Sequence, residues 1–97
     1  MVNFDAKGTY CFVSGRLTQE QVITLWPRRN ALLTSDTQGL DLSALEYSDS
    51  AGVAFLLGLV QLAQQNQQTL ALVAPSPQLK KLIALYDLEA FFTEEAH

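Results

Sequence analysis

The sequence predicts one α/β domain built on a mainly parallel, mixed sheet with helices packed on it. Three observations lead there. Short segments rich in β-branched and aromatic residues alternate with stretches whose apolar residues recur at helical spacing. The order along the chain is β-β-α-β-α-β-α-β, and such alternation favours parallel strands joined by helical crossovers. The 97 residues, 48% of them hydrophobic, suit a single domain over 1–97, without linker, repeat or low-complexity stretch.

The elements follow in order. "MVNFD" reads as an edge strand, with Lys7-Gly8 as the turn into "GTYCFVSGRL", an inner strand bounded by Gly8 and Gly15. "LTQEQVITLWPRRNALLTSD" changes to a helical pattern. Thr18 is placed to cap it, with Gln21 at capping-box spacing. Val22, Leu25, Trp26, Leu32 and Leu33 share one face, so Trp26 is expected in the core, and Arg28 and Arg29 point away from it. Pro27 removes a donor and clashes with the preceding turn, which predicts a kink or a helix that restarts there.

"QGLDLSAL" reads as a second inner strand opened by Gly39, followed by the loop "SDSAG" and the helix "VAFLLGLVQLAQQNQQ". "TLALVA" is a third inner strand, apolar almost throughout and ended by Pro75, as expected of a sheet covered by helices. "SPQLKKLIALYDL" is a helix with Ser76 as N-cap and Pro77 in its first turn. Its apolar face comprises Leu79, Leu82, Ile83 and Tyr86. "EAFF" is expected to add a last short strand, and "TEEAH" to fray.

Composition excludes several functions. Net charge is −4, which offers no footprint for nucleic acid. The paired bases Arg28-Arg29 and Lys80-Lys81 make no polybasic patch for anionic lipid. No stretch approaches the roughly 20 apolar residues that span a bilayer, and the N-terminus lacks a signal-peptide pattern. A soluble cytoplasmic protein is the expectation. Charged residues are only 16% of the chain, so part of the surface is either neutral and polar or covered by a partner.

Catalytic chemistry lacks its parts. His97, the last residue, is the only histidine, so no histidine triad or metal pair is expected. Cys11 lies mid-strand, where a buried inert thiol is the ordinary reading. The glycines form no phosphate-binding loop. Asp41, Glu46 and Asp49 offer carboxylates, but residues of this kind commonly flank strands as solvated ends. The expectation is a protein that is not an enzyme, with no catalytic residue, cofactor or metal.

Attention falls on Asp49-Ser50-Ala51-Gly52, directly ahead of the apolar run Val53–Val60. Asp49 or Ser50 is placed to cap the following helix, a contribution of roughly 1 kcal/mol, and Asp49 suits the positive end of its dipole. Gly52 permits close approach of the first turn to neighbouring backbone. Ser50 resembles a nucleophile at a strand-to-helix turn, but the hydrolase elbow needs Gly-x-Ser-x-Gly, and Ser48 stands at the first of those positions.

"LDLSALEYSDSAGVAFLLGLVQLA" resembles the STAS domain, a family named for sulphate transporters and anti-sigma-factor antagonists. "VSGRLT" resembles its second strand and turn, and "LALVAPSPQLKKLIALYDLEAFF" its later strand, third helix and closing segment. Two branches are implied. In anti-sigma-factor antagonists a partner kinase phosphorylates the serine directly before the glycine; Ala51 holds that position here. The other branch serves as the small subunit of a phospholipid-transporting ABC complex of Gram-negative bacteria and keeps a Ser/Thr after the aspartate, as Ser50 does. "SGRL", Leu25-Trp26, "LDLS" and "LYDL" resemble this second branch.

That resemblance implies a non-catalytic accessory subunit binding an ABC-type ATPase, and through it a membrane permease, in a complex that maintains outer-membrane lipid asymmetry. The subunit would be cytoplasmic, peripheral to the inner membrane through its partner, and bind no nucleic acid. The alternative it implies is an anti-sigma-factor antagonist; a small hydrolase using Ser50 is a third class.

The helix after the loop carries more apolar surface than one stripe needs. Val53, Leu56, Leu57, Val60 and Ala63 would face the sheet, while Phe55, Leu59 and Leu62 widen the arc. The excess either packs on the neighbouring helix or borders a docking surface beside Ser50. Asp49, Ser50, Ala51, Gly52, Phe55 and Leu62 are therefore the candidate partner-binding or regulatory residues. Gly58 in mid-helix costs about 1 kcal/mol relative to Ala, and close approach of another backbone would account for it.

Overall fold

The computed structural model describes residues 2–93. Strands β1 (Val2–Lys7) and β2 (Tyr10–Leu17) form an antiparallel hairpin closed across Gly8 and Thr9, Lys7 opposite Tyr10. Gly8 takes a φ of 63° in this tight connection, a conformation other residues adopt at a cost. Helix α1 (Gln19–Leu25) follows.

The helix ends at Leu25, before Trp26, Leu32 and Leu33 of the predicted face. Pro27 enters as the second residue of a 3₁₀ segment, Trp26–Ala31, so the restart predicted from Pro27 is present as a tighter helix. Trp26 still donates its amide to the Val22 carbonyl as the cap of α1, yet its side chain faces outward. Leu25 is buried and Val22, Leu32 and Leu33 half-buried, whereas Trp26 is 50% exposed. The core position expected for it is thereby corrected.

The strand expected over 38–45 is two strands. β3 (Gly39–Asp41) pairs with the first half of β2, and β4 (Leu45–Ser48) with the second half, both parallel. Between them Asp41 turns the chain. Its Oδ1 accepts hydrogen bonds from the Ser43 amide at 2.9 Å and the Ser43 hydroxyl at 2.6 Å, a local alternative to ladder pairing. Helix α2 (Ser50–Gln65), β5 (Ala71–Val73), α3 (Pro77–Leu85), a 3₁₀ turn (Glu89–Phe91) and β6 (Phe92–Thr93) complete the chain. Residues 94–97 of the segment expected to fray lie outside the described residues.

The sheet order is β1-β2-β3-β5-β6, with β4 beside β2, and only the β1–β2 pairing is antiparallel. Cys11, Val13 and Leu17 of β2, Leu40 of β3 and Leu72 of β5 point into one core with Leu25, Val53, Phe55, Leu56, Leu59, Ala63, Leu79 and Ile83 of the helices. Intervening residues such as Phe12 and Arg16 are exposed, as the two-residue strand period requires. Truncating a side chain as enclosed as Leu56, 0% exposed, costs roughly 2–5 kcal/mol. Tyr86, counted on the apolar face of α3, lies beyond that helix's last turn and is exposed.

Candidate functional site

The site is built where β2 and β4 end side by side. Leu17 and Ser48 are opposite each other in the parallel pairing, so the chain leaves the sheet twice at one place, into α1 and into α2. Both helix N-termini carry amides with no partner in their own helix. Asp49 serves both. Its Oδ1 accepts the Gly52 amide of α2 and its Oδ2 the Gln19 amide of α1, each at 2.9 Å. Thr18 occupies the N-cap position of α1 but its side chain makes no capping bond. The capping box read from Thr18 and Gln21 is thus replaced by a carboxylate from another loop, which also complements both helix dipoles.

Gly52 is buried against the sheet. A Cβ there would collide with the Ser48 Oγ and the Leu17 carbonyl oxygen, so a side chain is excluded and α2 sits directly on the strand ends. Ser48 is fully buried; its hydroxyl donates to the Asp49 carbonyl at 3.0 Å. Ala51 is half-buried. Ser50, the first residue of α2, is exposed, and its side chain takes no hydrogen bond within the described residues. The loop therefore buries its glycine, half-buries its acid and presents its hydroxyl.

The other face of the site is aromatic. Phe55 is 2% exposed, lying edge-on to Phe4 of β1 at 6.5 Å between ring centroids and tilted against Trp26 at 6.4 Å. Of the two alternatives for Phe55, packing on the neighbouring elements is the one observed, and Trp26 covers the ring. Arg29 lies over the Trp26 ring with its guanidinium carbon 4.1 Å from the centroid, while its Nη1 donates to the Trp26 carbonyl at 2.7 Å. Such a contact stiffens an exposed indole and contributes roughly 0.5–1 kcal/mol. Trp26, Arg29, Phe55, Gly58, Leu59 and Leu62 line a shallow cleft of about 230 Å³. Leu62 is half-buried in its wall. A Cβ at Gly58 would meet nothing within 4 Å, so among the described residues no other element approaches it.

Among the described residues the edge of β4 away from β2 has no neighbouring strand, because β5 stops at Val73 and Ala74 turns away at a φ of 53°. Gln78 of α3 fills the gap. Its Oε1 accepts the Ser48 amide at 2.9 Å and its Nε2 donates to the Ser48 carbonyl at 3.0 Å. The side-chain amide pairs with Ser48 as a strand would. A glutamine in the first turn of a helix carries no local signal of this role, so sequence reasoning missed it.

Among the described residues no group of three or more His, Cys, Asp or Glu side chains is placed to hold a metal ion. Burial, with a smaller contribution from Asp5, pushes the Cys11 thiol from 9.0 up to about 11, so it stays protonated and unreactive at neutral pH.

An α/β sheet with a half-buried capping Asp, an exposed hydroxyl and a close-packed Gly at the start of its second helix is the architecture of a STAS domain. Residues 3–93 match the family described as "Mlab, STAS domain", and the chain belongs to that family. Among curated relatives, the intermembrane phospholipid transport system binding protein MlaB of Haemophilus influenzae is 32% identical over 82 residues, 79% of this chain and 78% of that protein. The Escherichia coli protein of the same name is 32% identical over 78 residues, covering 80% and 79%. In fold, the chain is similar to the anti-sigma factor antagonist SpoIIAA in its unphosphorylated form, with a TM-score of 0.65 at 16% identity over 100% of this chain and 90% of that one.

Proposed function

We propose that this chain is a non-catalytic accessory subunit of an inner-membrane ABC complex that transports phospholipid and maintains outer-membrane lipid asymmetry. It binds the ATPase of that complex on the cytoplasmic side and reaches the permease only through it. The observation that carries the reading is the 32% identity, across about four-fifths of both chains, to proteins named as intermembrane phospholipid transport system binding proteins.

The site's chemistry fits a docking role. Ser50 is exposed at the head of α2, and Trp26 lies beside Phe55, about 7.5 Å further along the helix at 1.5 Å per residue. An exposed indole next to a cleft is a frequent anchor of a protein interface. Ala51 stands where the phospho-switch branch carries its serine, which favours constitutive docking over a kinase-controlled switch. Among the described residues no histidine stands near Ser50 to act as a base.

The test is affinity capture of the tagged chain from detergent-treated membranes and from cytosol, with mass spectrometry of the partners. Recovery of an ABC-type ATPase with a membrane permease is the expected result. Recovery of a soluble ATP-binding kinase with its sigma factor instead would overturn it in favour of an anti-sigma-factor antagonist.

A further inference from the structure

We infer that Gln78 is a positioning residue for docking. It holds the loop from Ser48 to Gly52 in its binding geometry from a helix that does not itself belong to the docking surface. The inference rests on the docking role proposed for the Asp49–Gly52 segment.

Three observations support it. Ser48 is the last residue of β4 and is fully buried, so its amide and carbonyl need partners inside the protein. β5 cannot supply them, because Ala74 turns the chain away. The two bonds from Gln78 span thirty positions of sequence and make a closed amide pair that fixes the peptide on both sides. Asp49, whose carboxylate aims both helix caps, is the next residue. A shift at Ser48 passes directly to the Asp49 backbone, held on its other side by the bond from the Asp49 amide to the Leu17 carbonyl at 3.3 Å. The docking segment is thus set from two directions, by β2 and by α3. Its occupancy of one conformation governs apparent affinity, since a partner binds only the competent fraction.

The experiment compares Gln78→Met, which keeps the length of the side chain and deletes both bonds, with Leu82→Ala, which loosens α3 without touching Ser48. Two readouts are taken: exchange of the Ser48 amide hydrogen in the free chain, and affinity for the purified ATPase. Gln78→Met is expected to speed Ser48 exchange at least about tenfold and to weaken ATPase binding about tenfold. Leu82→Ala is expected to lower the melting temperature as much or more, yet hold affinity within about twofold. Unchanged affinity in Gln78→Met, or an equal loss in Leu82→Ala, would overturn the inference. A wild-type chain that binds no ATPase would overturn the docking reading itself, and that control separates the two failures.

Discussion

The Asp49 carboxylate and the Gln19 amide, thirty positions apart, meet at 2.9 Å while the second oxygen of the same carboxylate holds Gly52. One acid therefore caps two helices. Asp49→Ala should cost about 2 kcal/mol, twice an ordinary cap, and Asp49→Asn about half that, since an amide keeps a single acceptor oxygen. Ser76, which caps α3 alone through one 3.4 Å bond, is the internal standard. If urea titration finds Asp49→Ala no worse than Ser76→Ala, one of the two Asp49 bonds contributes nothing.

The two glycines of α2 should respond in opposite directions. Gly52→Ala forces a methyl onto the Ser48 hydroxyl and the Leu17 carbonyl, one of them rigid backbone. A loss of roughly 1–3 kcal/mol is expected. Gly58→Ala meets open space and removes a flexible residue from mid-helix, so a gain of about 1 kcal/mol is expected. Thermal melts of the two single variants decide both.

Ser50→Glu and Ser50→Arg should weaken ATPase binding while leaving the melting temperature within a few degrees, because the Ser50 side chain is exposed and the cap belongs to Asp49. A phosphate on Ser50 would act as Glu does, adding nearly two negative charges beside Asp49. Trp26→Ala should weaken binding about tenfold or more. Titration calorimetry measures the binding, and loss of folding in the Ser50 variants would count against a docking role for that residue.

Cys11 should make the domain sensitive to alkali. Its thiol ionises near 9.0 in the unfolded chain and at about 11 in the folded one. Its contribution is therefore complete below pH 9 and is lost as pH rises towards 11, by about 1.4 kcal/mol for each pH unit crossed. Denaturation at pH 8 and pH 10.5 should show a smaller decline in Cys11→Ala than in the wild type, whatever their absolute stabilities. Equal declines would mean the thiol is not the group responsible.

The alternation of strands and helices was legible because its signals are local: Gly8 at a turn, Ser76 and Pro77 at a helix start, apolar runs of the right length. What was not legible depends on partners far away in the chain. Thr18 carries a capping signature, yet Asp49 takes its role because β2 and β4 end together. The break between β3 and β4 comes from the Asp41 carboxylate closing on Ser43, in a stretch whose apolar content reads as one strand. On the α2 wheel, Phe55 and Leu59 looked peripheral. Phe55 is covered by Trp26 and by Phe4 of β1, which no periodicity within α2 encodes. Of the candidate site, the loop was readable and its surroundings were not: Trp26 was placed inside, Phe55 was left between core and rim, and Gln78 was not singled out.

The parallel register also bears on how the sheet is made in time. Leu40 lies between Cys11 and Leu72, so each central pairing must close a span of roughly 30 residues, whereas the β1–β2 hairpin closes across two. During synthesis the hairpin can form as soon as Leu17 has emerged, and β3 can join it, but the far side of β3 stays bare until Ala71–Val73 is made. A ribosome stalled before that point holds an exposed three-residue edge with Leu40 in its middle, the kind of surface on which nascent chains pair with the wrong neighbour.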